Sequence, residues 1–361
     1  MTDIRYWIGL SLVPDVGPIM SKRLLAMMGE PENIFNAGIK DLLSVRGLNK
    51  EKAENIKNFR LWDGIEKHIK VINKKGIKVI GFNDPRYPAV LKEVADAPIV
   101  LYMKGDYIPD DRYGIAIVGS RKHTHYGEAV TQKISSELSA SGFTIISGMA
   151  RGIDTISHIS ALSAGGRTIA VLGSGLDVYY PAENKGLMEK IILSGCVISE
   201  FPPGTGPNRE NFPRRNRLIS GLSLGVLVVE ATADSGSLIT ATYALEQNKE
   251  VFAVPGNITS RNSEGTNSLI KQGAGIVLDT NDIIEELAPV LKGFIKAKDK
   301  KTINLTEEES SLCNILSREP KHIDLLSRES GIPVQKMLNL LLSLELKGIA
   351  RQSSGKKFYL S

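Results

Sequence analysis

The chain has 361 residues, enough for two or three domains with a sizeable buried core. Hydrophobic residues make up 42% and charged residues 24%, proportions that exclude a wholly disordered or fibrous chain. The formal net charge of +5 names no partner by itself, although the excess is concentrated in the basic stretch from Leu291 to Ser361.

Aromatic residues are sparse at 6% and glycines number 34, a balance that suits α/β architecture with many tight strand–helix turns. Cys196 and Cys313 sit in separate apolar runs, so neither a disulfide framework nor a cysteine-based metal site is expected. The opening stretch, Met1 to Gly17, has no basic leader with a long apolar core. No apolar run is long enough to cross a bilayer, and a soluble cytoplasmic protein without membrane contact is the expectation.

Residues 1–80 read as a domain of short helices. Met20, Leu24, Leu25 and Met28 have helical spacing, and Gly29-Glu30-Pro31 stops the run. A second helical unit covers Asp41 to Val45 and Lys50 to Phe59. A connector punctuated by Pro85, Pro88, Pro98 and Pro109 follows.

A core over residues 81–290 then alternates strand and helix. Apolar runs at 114–118, 143–147, 168–172, 196–199, 225–229, 250–254 and 275–278 predict seven strands. Helical segments fall near 126–140, 153–163, 183–193, 213–221, 237–247, 266–272 and 280–287. That alternation predicts a doubly wound, mostly parallel α/β sheet, whose ligands bind beyond the carboxyl ends of the strands. Residues 292–302 read as a polar, basic linker. Thr306 with Glu309 forms a capping box. Helices near 307–317, 321–329 and 333–347 and a hairpin over 349–360 turning at Ser354-Gly355 give a winged-helix domain over 303–361.

Chemistry should therefore sit in the βα turns. The first is Gly119-Ser120-Arg121-Lys122, where Ser120 can donate to a phosphate and Arg121 can hold one bidentately, unless Arg121 pairs with a carboxylate across the sheet end. The second runs from Ser147 through Gly148 and Arg151 to Asp154, small residues and a cation before a helix. Asp154 and His158, four apart, are either a catalytic pair or, the simpler reading, a cap and a packed ring. Lys185 lies near a helix start on the same sheet edge.

The most informative stretch is Phe212-Pro213-Arg214-Arg215-Asn216-Arg217. Pro213 fits the first helical position, and three arginines then crowd the positive end of the helix dipole at ~0.3–1 kcal/mol each. A polyanion or several carboxylates must lie opposite. Phe212 offers a ring for base stacking. Ser235-Gly236-Ser237 opens another helix, and Glu230, at a strand end, is placed to orient one of the arginines.

No P-loop and no histidine metal pattern is present, so the crevice is rich in binding groups and poor in catalytic ones. No metal, cofactor or catalytic residue is expected.

The ordered set Gly119-Ser120-Arg121, Ser147 to Asp154, Tyr180-Pro181 with Asn184, Ser199-Glu200-Phe201-Pro202, Phe212 to Leu222 and Pro255-Gly256 resembles the DprA/Smf DNA-processing proteins. The resemblance implies a Rossmann-like domain that binds single-stranded DNA as a homodimer. It also implies loading of RecA recombinase onto that DNA, against single-strand-binding protein, during natural transformation. It implies phosphate contact by Arg121, with Lys185 and Arg214 to Arg217 lining the same groove. Gly119, Gly148 and Gly173 would admit the strand closely. Asn267, Leu269 and Ile270 are the dimer-surface candidates.

Val13 to Gly17 and Val45 to Asn49 look like helix-hairpin-helix turns, but Asp15 and Asn49 stand where that pattern has glycine, which favours a structural or partner-contact module similar to a sterile-alpha-motif bundle. Two readings compete with strand binding. One is a phosphoribohydrolase acting on nucleoside monophosphates through Glu230 beside Ser235-Gly236-Ser237. The other is a duplex-binding regulator working through the winged helix.

Overall fold

A computed structural model of the chain describes residues 3–291, 306–317, 320–346, 350–353 and 355–360. Two compact units result, one up to residue 292 and one from 293 onward. The expected linker at 292–302 and Ser354 of the expected hairpin turn lie outside the described residues.

Short helices open the first unit, among them Ile4–Ser11, Pro18–Met28, Lys50–Lys57 and Trp62–Lys74. Asp3 caps the first by accepting from the Arg5 N–H, and Asn49 caps Lys50–Lys57 by accepting from Lys52, so Asn49 serves the helix start. Asp15 has φ 62°, and its neighbour Asn55 donates to it and to the Pro14 carbonyl.

Nine strands form one sheet: β1 Lys78–Gly81, β2 Val100–Gly105, β3 Gly114–Val118, β4 Thr144–Ser147, β5 Thr168–Leu172, β6 Cys196–Ser199, β7 Gly225–Val228, β8 Glu250–Ala253 and β9 Gly275–Ile276. Their order is β1-β2-β6-β5-β4-β3-β7-β8-β9. The seven expected strands are all present and pair in parallel. The end of the expected helical domain, however, runs into β1, and the expected connector holds β2; these add to the β6 edge antiparallel, Tyr102 facing Ser199 in register. Parallel strands covered on both faces read as unbroken apolar runs, and Ile115, Ala116 and Ile117 of β3 are fully buried.

One hydrophobic cluster joins Trp7, Leu24, Ile34 and Ile56 of the helices to Tyr102, Leu172 and Val197 of the sheet. Lys22 adds a tie by donating to the Val94 and Ala95 carbonyls, at 2.9 and 3.1 Å.

The second unit contains helices Glu307–Ile315, Ile323–Ser330 and Val334–Leu346 and the strands β10 Lys321–His322, β11 Ala350–Ser353 and β12 Lys357–Leu360. Thr306 and Glu309 make the expected reciprocal cap. The wing is three-stranded, in the order β10-β12-β11, with β10 pairing where only a hairpin was expected. Leu312, Leu326, Met337, Leu341 and Phe358 form its core.

Candidate functional site

Strands β4 to β6 lie on one side of β3 and β7 to β9 on the other, so the winding reverses between β3 and β7. Beyond their carboxyl ends opens a crevice of about 840 Å³. This is where an open α/β sheet offers a ligand both edges of a gap. Its lining includes Gly119 to Lys122, Ala150 and Asp154, Arg209, Phe212, Pro213, Arg215 and Asn216, and Asp234 to Ser237.

Arg121 and Lys122 are exposed at this crevice, and neither forms an ion pair among the described residues. The Arg121 guanidinium sits 5.4 Å from the centre of the Phe212 ring, which is itself half-buried against Tyr180. Ser120 is buried. Its hydroxyl accepts from the Lys122 N–H at 3.1 Å, and its own N–H donates to the Glu230 carbonyl at 2.8 Å. Across the gap, Ser235 caps helix Gly236–Glu246, whose first backbone N–H groups lack helical acceptors and attract anions.

The loop carrying these cations is pinned from beneath. Both carboxylate oxygens of Glu230, a residue 2% exposed, are engaged: one accepts from the Thr124 N–H at 2.9 Å, the other from the Thr124 hydroxyl at 2.5 Å. Asn262 donates to Glu230 at 3.5 Å and to the Lys122 carbonyl at 2.9 Å. Glu230 therefore orients the 119–124 loop and not an arginine of the 212–217 segment, which corrects the expectation.

That arginine segment divides. Helix Asn211–Gly221 turns Arg215 inward, where it donates to the Gly148 carbonyl, to the Val171 carbonyl at 2.6 Å and to Asn216 at 3.1 Å. Burial pushes its pKa down to about 10, so it keeps its charge at neutral pH. Arg217, 4% exposed, donates to Glu200 at 2.5 Å and to the Asp96 carbonyl at 2.6 Å, with the Asp96 carboxylate at 3.4 Å. Arg214 is exposed, lies over Phe201 and stands 3.6 Å from Glu200. The expected single groove of Arg214 to Arg217 is thus corrected. The carboxylates Glu200 and Asp96 answer the crowded helix start, and Arg217 does not line the crevice.

Arg151 and Lys185 also lie outside its lining. Arg151 pairs with Glu183 at 2.5 Å, and Lys185 lies over Tyr179. Asn216 does line it and donates to the Gly236 carbonyl at 3.1 Å. The three glycines expected to admit a strand instead make room for protein groups. A Cβ at Gly119 would meet Ile153 and the Glu230 carbonyl, one at Gly148 the Arg215 guanidinium, and one at Gly173 the Phe212 ring. Gly152, at φ +79°, lets the first two βα turns touch, since a Cβ there would lie 2.3 Å from the Ser120 carbonyl oxygen.

Asp154 and His158 do not pair. One Asp154 oxygen accepts from the Gly148 and Ala150 N–H groups, and burial raises its pKa against the pull of Arg215. Thr168 donates to the Ile145 carbonyl, so its oxygen accepts from His158 Nδ1 at 2.6 Å. Burial pushes His158 down to about 3 and holds the ring neutral. The packed ring of the simpler reading is observed, but the cap is not: Asp154 bonds the turn before helix Ile153–Ser163, whose start at Gly152 has no side-chain cap, which corrects that half of the reading. Asn267 spends its amide on Gly256, donating to the carbonyl at 3.0 Å and accepting from the N–H at 3.2 Å, while Leu269 packs on the core and Ile270 is half-buried.

Sequence reading missed Arg209, an exposed cation lining the crevice from a loop whose only signal is its Pro-Asn neighbours. It also passed over Gly221 to Gly225, which spells G-x-S-x-G. Here that stretch leads from helix to strand, and Ser223 is buried, donating to the Ser220 carbonyl, so it is no nucleophile elbow. No group of metal-ligating side chains occurs among the described residues, and no described helix is long and apolar enough to cross a membrane.

Fold and crevice together define a Rossmann-like α/β protein with an open cationic gap at its topological switch point, whose chain also carries a winged helix. The chain belongs to the DprA/Smf family: the family model for DNA recombination-mediator protein A matches residues 78–288, and that for the DprA winged helix domain matches residues 296–356. Protein Smf of Synechocystis is 36% identical over 99% of this chain and 98% of its own length, and protein Smf of Escherichia coli 38% identical over 96% and 93%. The X-ray structure of DNA processing protein A from Streptococcus pneumoniae superposes with a TM-score of 0.68 at 34% identity, covering 79% of this chain and 99% of that one. A structure of the Helicobacter pylori protein, described as having a unique single-stranded DNA binding mode, covers 59% of this chain and 96% of its own, with a TM-score of 0.54 at 30% identity.

Proposed function

We propose that this chain binds single-stranded DNA in the crevice between β3 and β7 and, with no chemistry of its own, passes the strand to RecA recombinase in place of single-strand-binding protein. The setting is natural transformation in the cytoplasm, with the protein working as a homodimer. The reading is carried by Arg121 and Lys122, two exposed cations that form no ion pair among the described residues, on a pinned loop that sets Arg121 over an aromatic ring. Neither is held in an ion pair among the described residues, so a phosphodiester can supply an anion and a base the plane that stacks near Phe212. Membership in the DprA/Smf family and the described binding mode of the Helicobacter pylori protein support the same ligand. RecA loading and the homodimer rest on the family alone.

The competing hydrolase needs a carboxylate facing substrate. Glu230, with both oxygens engaged, is spent on the loop. Salt titration of oligothymidylate binding tests the proposal: log affinity falls with log salt at ~0.7 per phosphate contacted. Salt-independent binding, or release of free base from nucleoside monophosphates that is lost in Glu230→Ala, overturns it.

A further inference from the structure

Away from the crevice, the helical region of the first unit holds a second opening of about 380 Å³. Its walls are aromatic. Trp62 meets Phe35 and Phe59 edge-on, each at 4.9 Å between ring centres, and Tyr6 at 5.6 Å and 73°. Phe35 and Phe59 are buried, whereas Tyr6 and Trp62 stay half-exposed and form an open corner. An aromatic cluster kept only for packing closes on itself, because each unfilled gap forfeits contacts.

Charge around the opening has one sign. Arg5, Lys57 and Arg60 line it, and no acidic residue does. Arg5 is matched by Asp3 and Glu66. Among the described residues, Lys57 and Arg60 form no ion pair. Lys57 gives one donor to the Phe35 carbonyl at 2.8 Å, and Arg60 uses one nitrogen on the Phe59 and Lys57 carbonyls at 3.1 and 3.4 Å. An ammonium has three donors and a guanidinium five, so several remain for an anion. The exposed Asn36 at the rim offers a donor and an acceptor of the kind that reads a base edge.

We propose that this pocket binds an unpaired nucleotide, its base in the corner of Tyr6 and Trp62 and its phosphate on Lys57 and Arg60. A planar ring joined to an anion is the chemistry the walls and rim complement together. An acidic peptide ending in an aromatic residue shares part of it. The nucleotide is chosen on the reading that the crevice handles an unpaired strand, and it makes the helical region a second point of contact for that strand.

Tryptophan emission of the full chain tests this, because Trp7 is 4% exposed and Trp62 is the accessible reporter. Thymidine monophosphate and a thymidylate oligomer are expected to quench it. Trp62→Phe keeps a ring in the pocket and should abolish the quench. Arg60→Glu, at an exposed position, should raise the half-quenching concentration about tenfold with unchanged circular dichroism. Strand binding seen by anisotropy of a labelled oligomer, with emission unmoved, overturns the pocket and spares the crevice. Quenching by the monophosphate with strand binding indifferent to Arg121→Ala does the reverse. Stronger quenching by an aspartate-rich peptide ending in phenylalanine than by the nucleotide also overturns the proposal.

Discussion

Arg215 and Arg217 stand two residues apart on one helix and meet different partners, carbonyl oxygens in one case and two acids in the other. Removing Arg217 leaves buried Glu200, whose pKa burial already raises, with only the longer 3.6 Å contact to Arg214. Arg217→Ala should therefore destabilise the fold by ~3–5 kcal/mol in denaturant melts. Arg121→Ala should change the melt by less than ~0.5 kcal/mol and weaken oligothymidylate binding, with the salt slope reduced by ~0.7. Equal effects of the two changes on stability would contradict this division of labour. His158 gives a pH prediction. Its folded pKa is depressed to about 3, so between there and its ordinary value near 6.5 the unfolded chain binds a proton that the native chain refuses. Stability is lost as pH falls through that window, by ~2 kcal/mol from pH 7 to pH 5. His158→Gln should flatten that part of the pH–stability curve relative to the parent. At this scale the sequence was only half legible. Helix-dipole reasoning showed that negative charge must face the arginines, but Glu200 and Asp96 come from elsewhere in the chain, and no local pattern announces them.

Among elements, the loop from Gly119 to Thr124 depends on groups far off in sequence, Glu230 after β7 and Asn262 in helix Arg261–Lys271. Asn262→Ala removes the bond to the Lys122 carbonyl. It should lower strand affinity several-fold at a stability cost near ~1 kcal/mol, read by anisotropy and by melting. The seven parallel strands were legible because burial on both faces writes an unbroken apolar run into each. β1 and β2 were not. They are separated by a turn-rich stretch, and their pairing is set by the β6 edge and by helices packed over it. Glycines misled in a related way. A Gly at a strand end signals close approach, but not whether protein or ligand does the approaching.

For the whole molecule, every crevice residue belongs to the first compact unit. A chain ending at 292 should keep most of its affinity for single strands in mobility-shift assays. Loss of all binding would instead assign recognition to the winged helix. The order of domains and the motifs of the DprA/Smf family were readable along the chain, since each motif is contiguous. The aromatic pocket was not, because Tyr6 and Phe35 come from segments distant from Phe59 and Trp62, and only folding brings them together.

Trp7 lies flat where any side chain on Gly81 would stand, its ring 2.8 Å from a Cβ built there. A fragment begun at residue 81 would shed this lid along with β1. Tyr102, Leu172 and Val197 would then meet water with nothing to replace what covered them. Such a recombinant piece should come out of cells as inclusion bodies. Biochemistry on the strand-gripping portion has to begin from protein that retains its first 75 or so residues.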